Sequence, residues 1–191
     1  MILRPHFFWG VQNADAPPRM NVFLVGPMGS GKSAVGRQLA QRLALEFIDS
    51  DAEIEARTGV DIAYIFEREG EAGFRSREAE VIDALSRRDR VLVSTGGGAI
   101  LDASTRERLR ARGRVVYLRT SVDQQLARTR RSNDRPLLNN DDPRGTLERL
   151  FEQRAPLYTE VAEIVVDTDG RKVKTVVDQI CHQLGVDGLE P

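Results

Sequence analysis

Eight consecutive residues, Gly26-Pro27-Met28-Gly29-Ser30-Gly31-Lys32-Ser33, have the composition of a phosphate cradle. They match G-x-x-x-x-G-K-[ST], and the chemistry behind that pattern is specific. Glycines let successive backbone N–H groups curl around phosphate oxygens, and the N-terminus of a following helix adds partial positive charge. The Lys32 ammonium reaches the β- and γ-phosphates, and the Ser33 hydroxyl can ligate Mg²⁺. Gly29, Ser30, Gly31, Lys32, Ser33 and Ala34 are therefore the candidate nucleotide-binding residues. The motif also lies where it must, after the apolar run Val22–Val25 and before a helical pattern through Val35, Leu39 and Leu43.

A second constellation lies on later segments. Asp49 and Asp51 follow the short run Leu45–Ile48, at the C-terminal end of a strand, where ligands of open α/β sheets collect. A strand ending between them could send Asp49 to the Mg²⁺ shell and Asp51 to an acceptor pocket, where an ionised carboxylate holds substrate hydroxyls. The alternative is that Asp51 only caps the next helix. The run Val91–Val93 leads through Ser94 and Thr95 into Gly96, Gly97 and Gly98, and three glycines at a strand's end permit close backbone approach to a ligand. This strand lacks a terminal Asp, so Asp49 is the stronger metal candidate.

The elements that position these groups alternate. Between Asp51 and Arg88 the pattern is helical, with breaks near Gly59 and Gly70. A helix opens at Asp102 or Ser104, a strand runs over 115–118, and a helix starts near Val122 with Ser121 and Gln124 at capping-box spacing. Residues 130–142 are charged and turn-forming, and a lid is expected over about 128–142. A helix from Pro143 towards Tyr158, a strand over 164–166 and a helix from Lys172 to Leu184 follow. Five apolar strands alternating with helices predict an α/β three-layer fold, a mostly parallel sheet covered on both faces. One domain is expected over 21–187. Residues 1–20 read as a loose extension closed by Pro17-Pro18, with Met20 as an alternative start.

Taken together, GPMGSGKS, the D-S-D of 49–51, GFRSRE of 73–78, STGGG of 94–98, RPLL of 135–138 and RAPLY of 154–158 resemble bacterial shikimate kinases, in that family's order and over about residues 21–184. The resemblance implies a P-loop kinase fold of the nucleoside-monophosphate-kinase type, with a five-stranded parallel sheet, a substrate-binding helical segment and a closing lid. It implies that Asp51 holds acceptor hydroxyls, that Arg75 and Arg154 clamp a carboxylate, and that Gly97 and Gly98 offer backbone donors beside Gly96. It further implies that Arg135 in the lid reaches phosphate and substrate, that Arg128 contacts the nucleotide phosphates, and that the segment 166–173 meets the adenine. ATP and shikimate are then the expected partners, with Mg²⁺ as cofactor and Lys32, Asp51 and Arg135 as the catalytic set. Guanidinium forks suit a carboxylate bidentately in a way that a lysine does not.

Composition narrows the classes further. The 191 residues carry a formal net charge of −1, which gives no basic footprint for nucleic acid. The lone Cys181 and two separated histidines, His6 and His182, provide no metal cluster or disulfide framework. Apolar runs are too short for a membrane span or a signal peptide, so a cytoplasmic address is expected. A monomer is the default expectation, since no sequence feature sets the oligomeric state. A P-loop alone does not distinguish a kinase from a regulatory ATP-binding module, nor one small acceptor from another such as gluconate. The chain has no N-K-x-D element for guanine.

Overall fold

The computed structural model describes residues 20–129 and 141–186. The expected loose extension, the lid's Arg135 and the residues after 186 lie outside that range.

Strand β1 (Val22–Val25) is buried at every position, as a strand covered on both faces must be. Its side chains alternate between two apolar layers. Phe23 and Val25 join Val91, Val93, Val115 and Tyr117 on one side of the sheet; Val22 and Leu24 join Leu92, Val116 and Leu118 on the other. Helices α1 (Lys32–Arg42) and α7 (Val173–Leu184) cover the second layer through Val35, Leu39, Val176 and Ile180. Helices α3 (Ile62–Ser86), α4 (Ala103–Arg112) and α6 (Pro143–Val161) cover the first through Ile82, Leu85, Leu109 and Val161.

The remaining strands are β2 (Glu46–Asp49), β3 (Val91–Ser94), β4 (Arg114–Arg119) and β5 (Ile164–Asp167), with helices α2 (Ser50–Thr58) and α5 (Val122–Thr129) between them. All pairings are parallel, in the order β2-β3-β1-β4-β5. The chain leaves β1 towards β3 and β2, then crosses back to β4, so a crevice opens beyond the C-terminal end of β1. Register makes that edge level: Leu24 and Asp49 both lie opposite Ser94. The phosphate loop, Asp49 and the glycine turn after β3 thus share one sheet edge.

Local signals account for most boundaries. Asp61, Asp102 and Asp142 cap α3, α4 and α6 by accepting the N–H of Tyr64, Thr105 and Gly145, each contact stabilising its helix by about 1 kcal/mol. Ser121 Oγ accepts the Gln124 N–H at 3.3 Å, as the spacing predicts. Gly70, at φ 70° and ψ −176°, breaks α3 and frees its second half to turn towards the sheet edge. β2 starts one residue later than the apolar run implies, because the Leu45 N–H still bonds back to Ala40 O at 2.8 Å and closes α1. At the expected lid, residues 128 and 129 finish α5 and residues 143 onward form α6.

Candidate active site

The loop of residues 26–31 joins β1 to α1, and its Met28, Gly29 and Gly31 line a cleft of about 270 Å³ together with Lys32, Ser33, Asp49, Asp51 and Thr95. Unlike α2, α3, α4 and α6, helix α1 has no side-chain cap. Its N-terminal N–H groups and dipole therefore face the cleft uncapped, the arrangement that a phosphate chain needs. Lys32 Nζ donates to the carbonyls of Gly26 and Pro27 at 2.8 and 2.9 Å, which lays the ammonium along the loop.

Ser33 Oγ donates to Asp49 Oδ2 at 2.8 Å. One hydroxyl and one carboxylate at the mouth of a phosphate loop are a donor set suited to Mg²⁺, which takes few protein oxygens and completes its shell with phosphate and water. Among the described residues there is no cluster of three or more His, Cys, Asp or Glu that could hold a metal ion.

Asp49 Oδ1 also accepts the backbone N–H of Asp51 at 3.1 Å and caps α2. The alternative in which Asp51 is the cap is thereby replaced: Asp49 does that work, and half-buried Asp51 stands one step inside the helix, lining the cleft. Between them Ser50, fully buried, accepts the Gly96 N–H on its Oγ at 2.9 Å and locks β2's end to β3's. Gly96 is therefore not a free backbone donor. Its part is to make room, since a Cβ there would stand 2.1 Å from Glu78 Oε1 and 2.9 Å from Asp51 Oδ1.

Glu78 was not foreseen. On the second half of α3 the inward positions are Phe74, Glu78, Val81, Ile82 and Leu85, a helical stripe with one carboxyl in it. Glu78 is 1% exposed, and Oε2 accepts from Arg75 Nη1 at 2.6 Å while Oε1 has no hydrogen-bond partner among the described residues. Burial pushes its pKa above the ordinary carboxylate range; Arg75 pulls against this, and the charge of Asp51 adds to it. Arg75 also donates to Glu71 at 3.0 Å and lies over the Phe74 ring, which itself packs on Phe66. Two glutamates and an aromatic face fix the guanidinium beside the glycine turn, where a Cβ on Gly98 would meet its Cζ at 2.3 Å.

Arg154 approaches from α6 and is 4% exposed. The Tyr158 phenol, one helical turn on, is its polar neighbour, and the Arg154 Nε has no hydrogen-bond partner among the described residues. Burial lowers its pKa, and the like charge of Arg75 lowers it further. Two guanidinium groups, 79 positions apart in the chain, are thus close enough to repel. Such a pair suits an anionic ligand between the two, because a carboxylate would supply both counter-charge and acceptors. Tyr158, a second residue not foreseen, lies one helical turn from Arg154 and donates to Gly97 O.

On the nucleotide side, Arg128 donates to Gly29 O at 2.9 Å and to Thr168 O at 3.1 Å. Asp169 accepts from Thr120 Oγ1 at 2.5 Å and from the Ser121 N–H. The loop after β5 is thus tied to the phosphate loop through Arg128, which fits a site for the rest of a nucleotide. Of the sequence-predicted residues, Lys32, Ser33, Asp49, Asp51, Arg75, Gly96, Gly97, Gly98, Arg128 and Arg154 gather at one edge, with Arg135 outside the described residues. The cues to those missed were Glu78's place in an apolar stripe and the i, i+4 spacing of Arg154 and Tyr158.

Comparison with known proteins agrees with this geometry. Residues 28–185 match the family model described as SKI, shikimate kinase. A shikimate kinase of Shewanella amazonensis is 56% identical over 167 residues, which are 87% of this chain and 98% of that protein. The structure of a shikimate kinase from Acinetobacter baumannii in complex with shikimate superposes with a TM-score of 0.87 at 46% identity, covering 91% of this chain and 97% of that one. A shikimate kinase structure from Bacteroides thetaiotaomicron gives a TM-score of 0.80 at 31% identity, over 87% and 98% of the two chains.

Proposed function

The chain belongs to the shikimate kinase family, ATP-dependent kinases of a small hydroxy acid, and we propose how its own residues divide the transfer of the γ-phosphoryl of ATP to the 3-hydroxyl of shikimate. The observation that carries this reading is the convergence of two arginines, Arg75 and Arg154, with Asp51 across the glycine turn from the phosphate cradle. A ligand with a carboxylate at one end and hydroxyls at the other fits that polarity. Gluconate has a carboxylate too, but a flexible chain matches such a fixed pair of ends less well than a rigid ring does.

The carboxylate is held between the Arg75 and Arg154 guanidinium groups, with Glu78 and Glu71 fixing Arg75 from behind. Asp51 accepts the ring hydroxyl, orients it in line with the γ-phosphorus and takes its proton late, as a loose transition state allows. Lys32 and the lid's Arg135 stabilise charge on the transferring oxygens. Ser33 and Asp49 would hold Mg²⁺, which would supply neutralising charge to the phosphate chain. Arg128 seats the nucleotide by joining the phosphate loop to the loop after β5.

No helix among the described residues is long and apolar enough to cross a membrane. The test is ADP release from Mg-ATP with and without shikimate, with the product's mass measured. Shikimate-dependent release with a gain of one phosphoryl group supports the reading; nucleotide binding without product would favour a regulatory ATP-binding module.

A further inference from the structure

Tyr158 is fully buried on α6, four residues after Arg154 and on the same helix face. Its ring stacks on Tyr117 of β4, with centroids 5.0 Å apart and planes 24° from parallel, so the phenol has little freedom to swing. The hydroxyl donates to the carbonyl oxygen of Gly97 and, one helical turn from Arg154, is the polar neighbour of that side chain. One atom thus joins the second arginine of the clamp to the glycine turn, across 61 residues of sequence from the turn and from a different layer of the fold.

The geometry constrains the turn in a useful way. A trans peptide directs its C=O and N–H to opposite sides, so anchoring Gly97 O on Tyr158 aims the Gly98 N–H away from α6. The Gly98 backbone then runs against the Arg75 guanidinium. We infer that the Tyr158 hydroxyl is a positioning residue for shikimate binding, holding Arg154 and the Gly97–Gly98 peptide in a single fixed relation. The inference rests on the assignment of shikimate as acceptor. A phenylalanine would preserve the stack with Tyr117 but leave Gly97 O without its donor and remove the polar neighbour of Arg154. Burial pushes the Tyr158 pKa up, so the donor proton is retained across the working pH range.

The experiment compares wild type with Tyr158→Phe in steady-state kinetics, varying shikimate and ATP separately, beside Arg154→Lys and the double variant. In Tyr158→Phe the KM for shikimate should rise about tenfold, the effect of losing one buried hydrogen bond, with the KM for ATP unchanged and kcat within about threefold, since the nucleotide site and Asp51 are untouched. The double variant should cost less than the product of the two single effects, because both act through Arg154. An unchanged shikimate KM, or equal losses for both substrates, would overturn the inference and reduce Tyr158 to packing. Should Tyr158→Phe not fold, a crystal structure of wild type with shikimate decides: the hydroxyl bonded to both Gly97 O and Arg154 supports the inference, and a hydroxyl turned from either one refutes it. Wild type inactive on shikimate would instead defeat the acceptor assignment itself.

Discussion

Asp49 accepts the backbone N–H of Asp51 at 3.1 Å, and its other oxygen accepts the Ser33 hydroxyl at 2.8 Å. One carboxylate therefore joins the phosphate cradle to the start of the helix that carries the second. Two acids separated by a single residue have different work because the strand ends between them: Asp49 closes β2 and caps α2, and Asp51 enters the helix and lines the cleft.

Replacing Asp51 by Asn keeps the shape and removes the base. Turnover should fall by about two to four orders of magnitude, while ATP titrated calorimetrically binds as to wild type. Near-normal turnover would take Asp51 out of the proton transfer.

Arg75→Lys and Arg154→Lys each retain a positive charge but lose the planar fork. Losing one charge-assisted hydrogen bond corresponds to about 1.5–3 kcal/mol, or roughly a 10- to 100-fold rise in the KM for shikimate. Arg154→Lys should show the larger effect, because Arg154 is more deeply buried than Arg75 and two glutamates already hold Arg75. A rise in the ATP constant instead would place these arginines on the wrong ligand.

Gly96→Ala puts a methyl group 2.1 Å from Glu78 Oε1. Overpacking of this kind costs about 1–3 kcal/mol, and here the displaced group is the carboxyl that orients Arg75. Lowered thermal stability with a raised shikimate KM is the expected pair of changes. A fall in stability with wild-type kinetics would mean that Glu78 moves without affecting the clamp.

Away from the site, Asp83 accepts from Arg112 at 2.7 Å and from Arg87 at 3.1 Å, and these bonds hold its pKa below the ordinary value. A carboxylate depressed in the folded state stabilises it above the unfolded pKa, about 3.9, and loses that effect as pH falls through the folded value. Asp83→Asn should therefore lower the melting temperature at neutral pH, with the gap closing as the pH falls below the unfolded value and through the folded one. A gap independent of pH would point to packing and not charge.

Much of the sheet edge was readable from spacing alone. The phosphate loop announces itself because its glycines and Lys32 stand in a fixed pattern between strand and helix, and in a chain where only three of 28 basic residues are lysines Lys32 is conspicuous. The same arginine abundance hides Arg75 and Arg154, which look like surface residues until the fold buries them; only the family resemblance singled them out. Glu78 and Tyr158 were missed because their roles lie in what they face across the structure. Nothing in the spacing marks Ser50, whose hydroxyl fastens the end of β2 to that of β3. Whether Asp49 or Asp51 capped α2 depended on where β2 stopped, a difference of one residue that apolar runs do not resolve.

The central claim is that a carboxylate of the acceptor is held between Arg75 and Arg154, opposite Asp51. Calorimetric titration of the wild-type protein with shikimate and with its neutral, nearly isosteric carboxamide tests it directly. Removing the charge while keeping the ring and hydroxyls should weaken binding about 100-fold, the loss of two charge-assisted contacts. Equal affinities for the two compounds would contradict the clamp and move the origin of acceptor recognition elsewhere in the cleft.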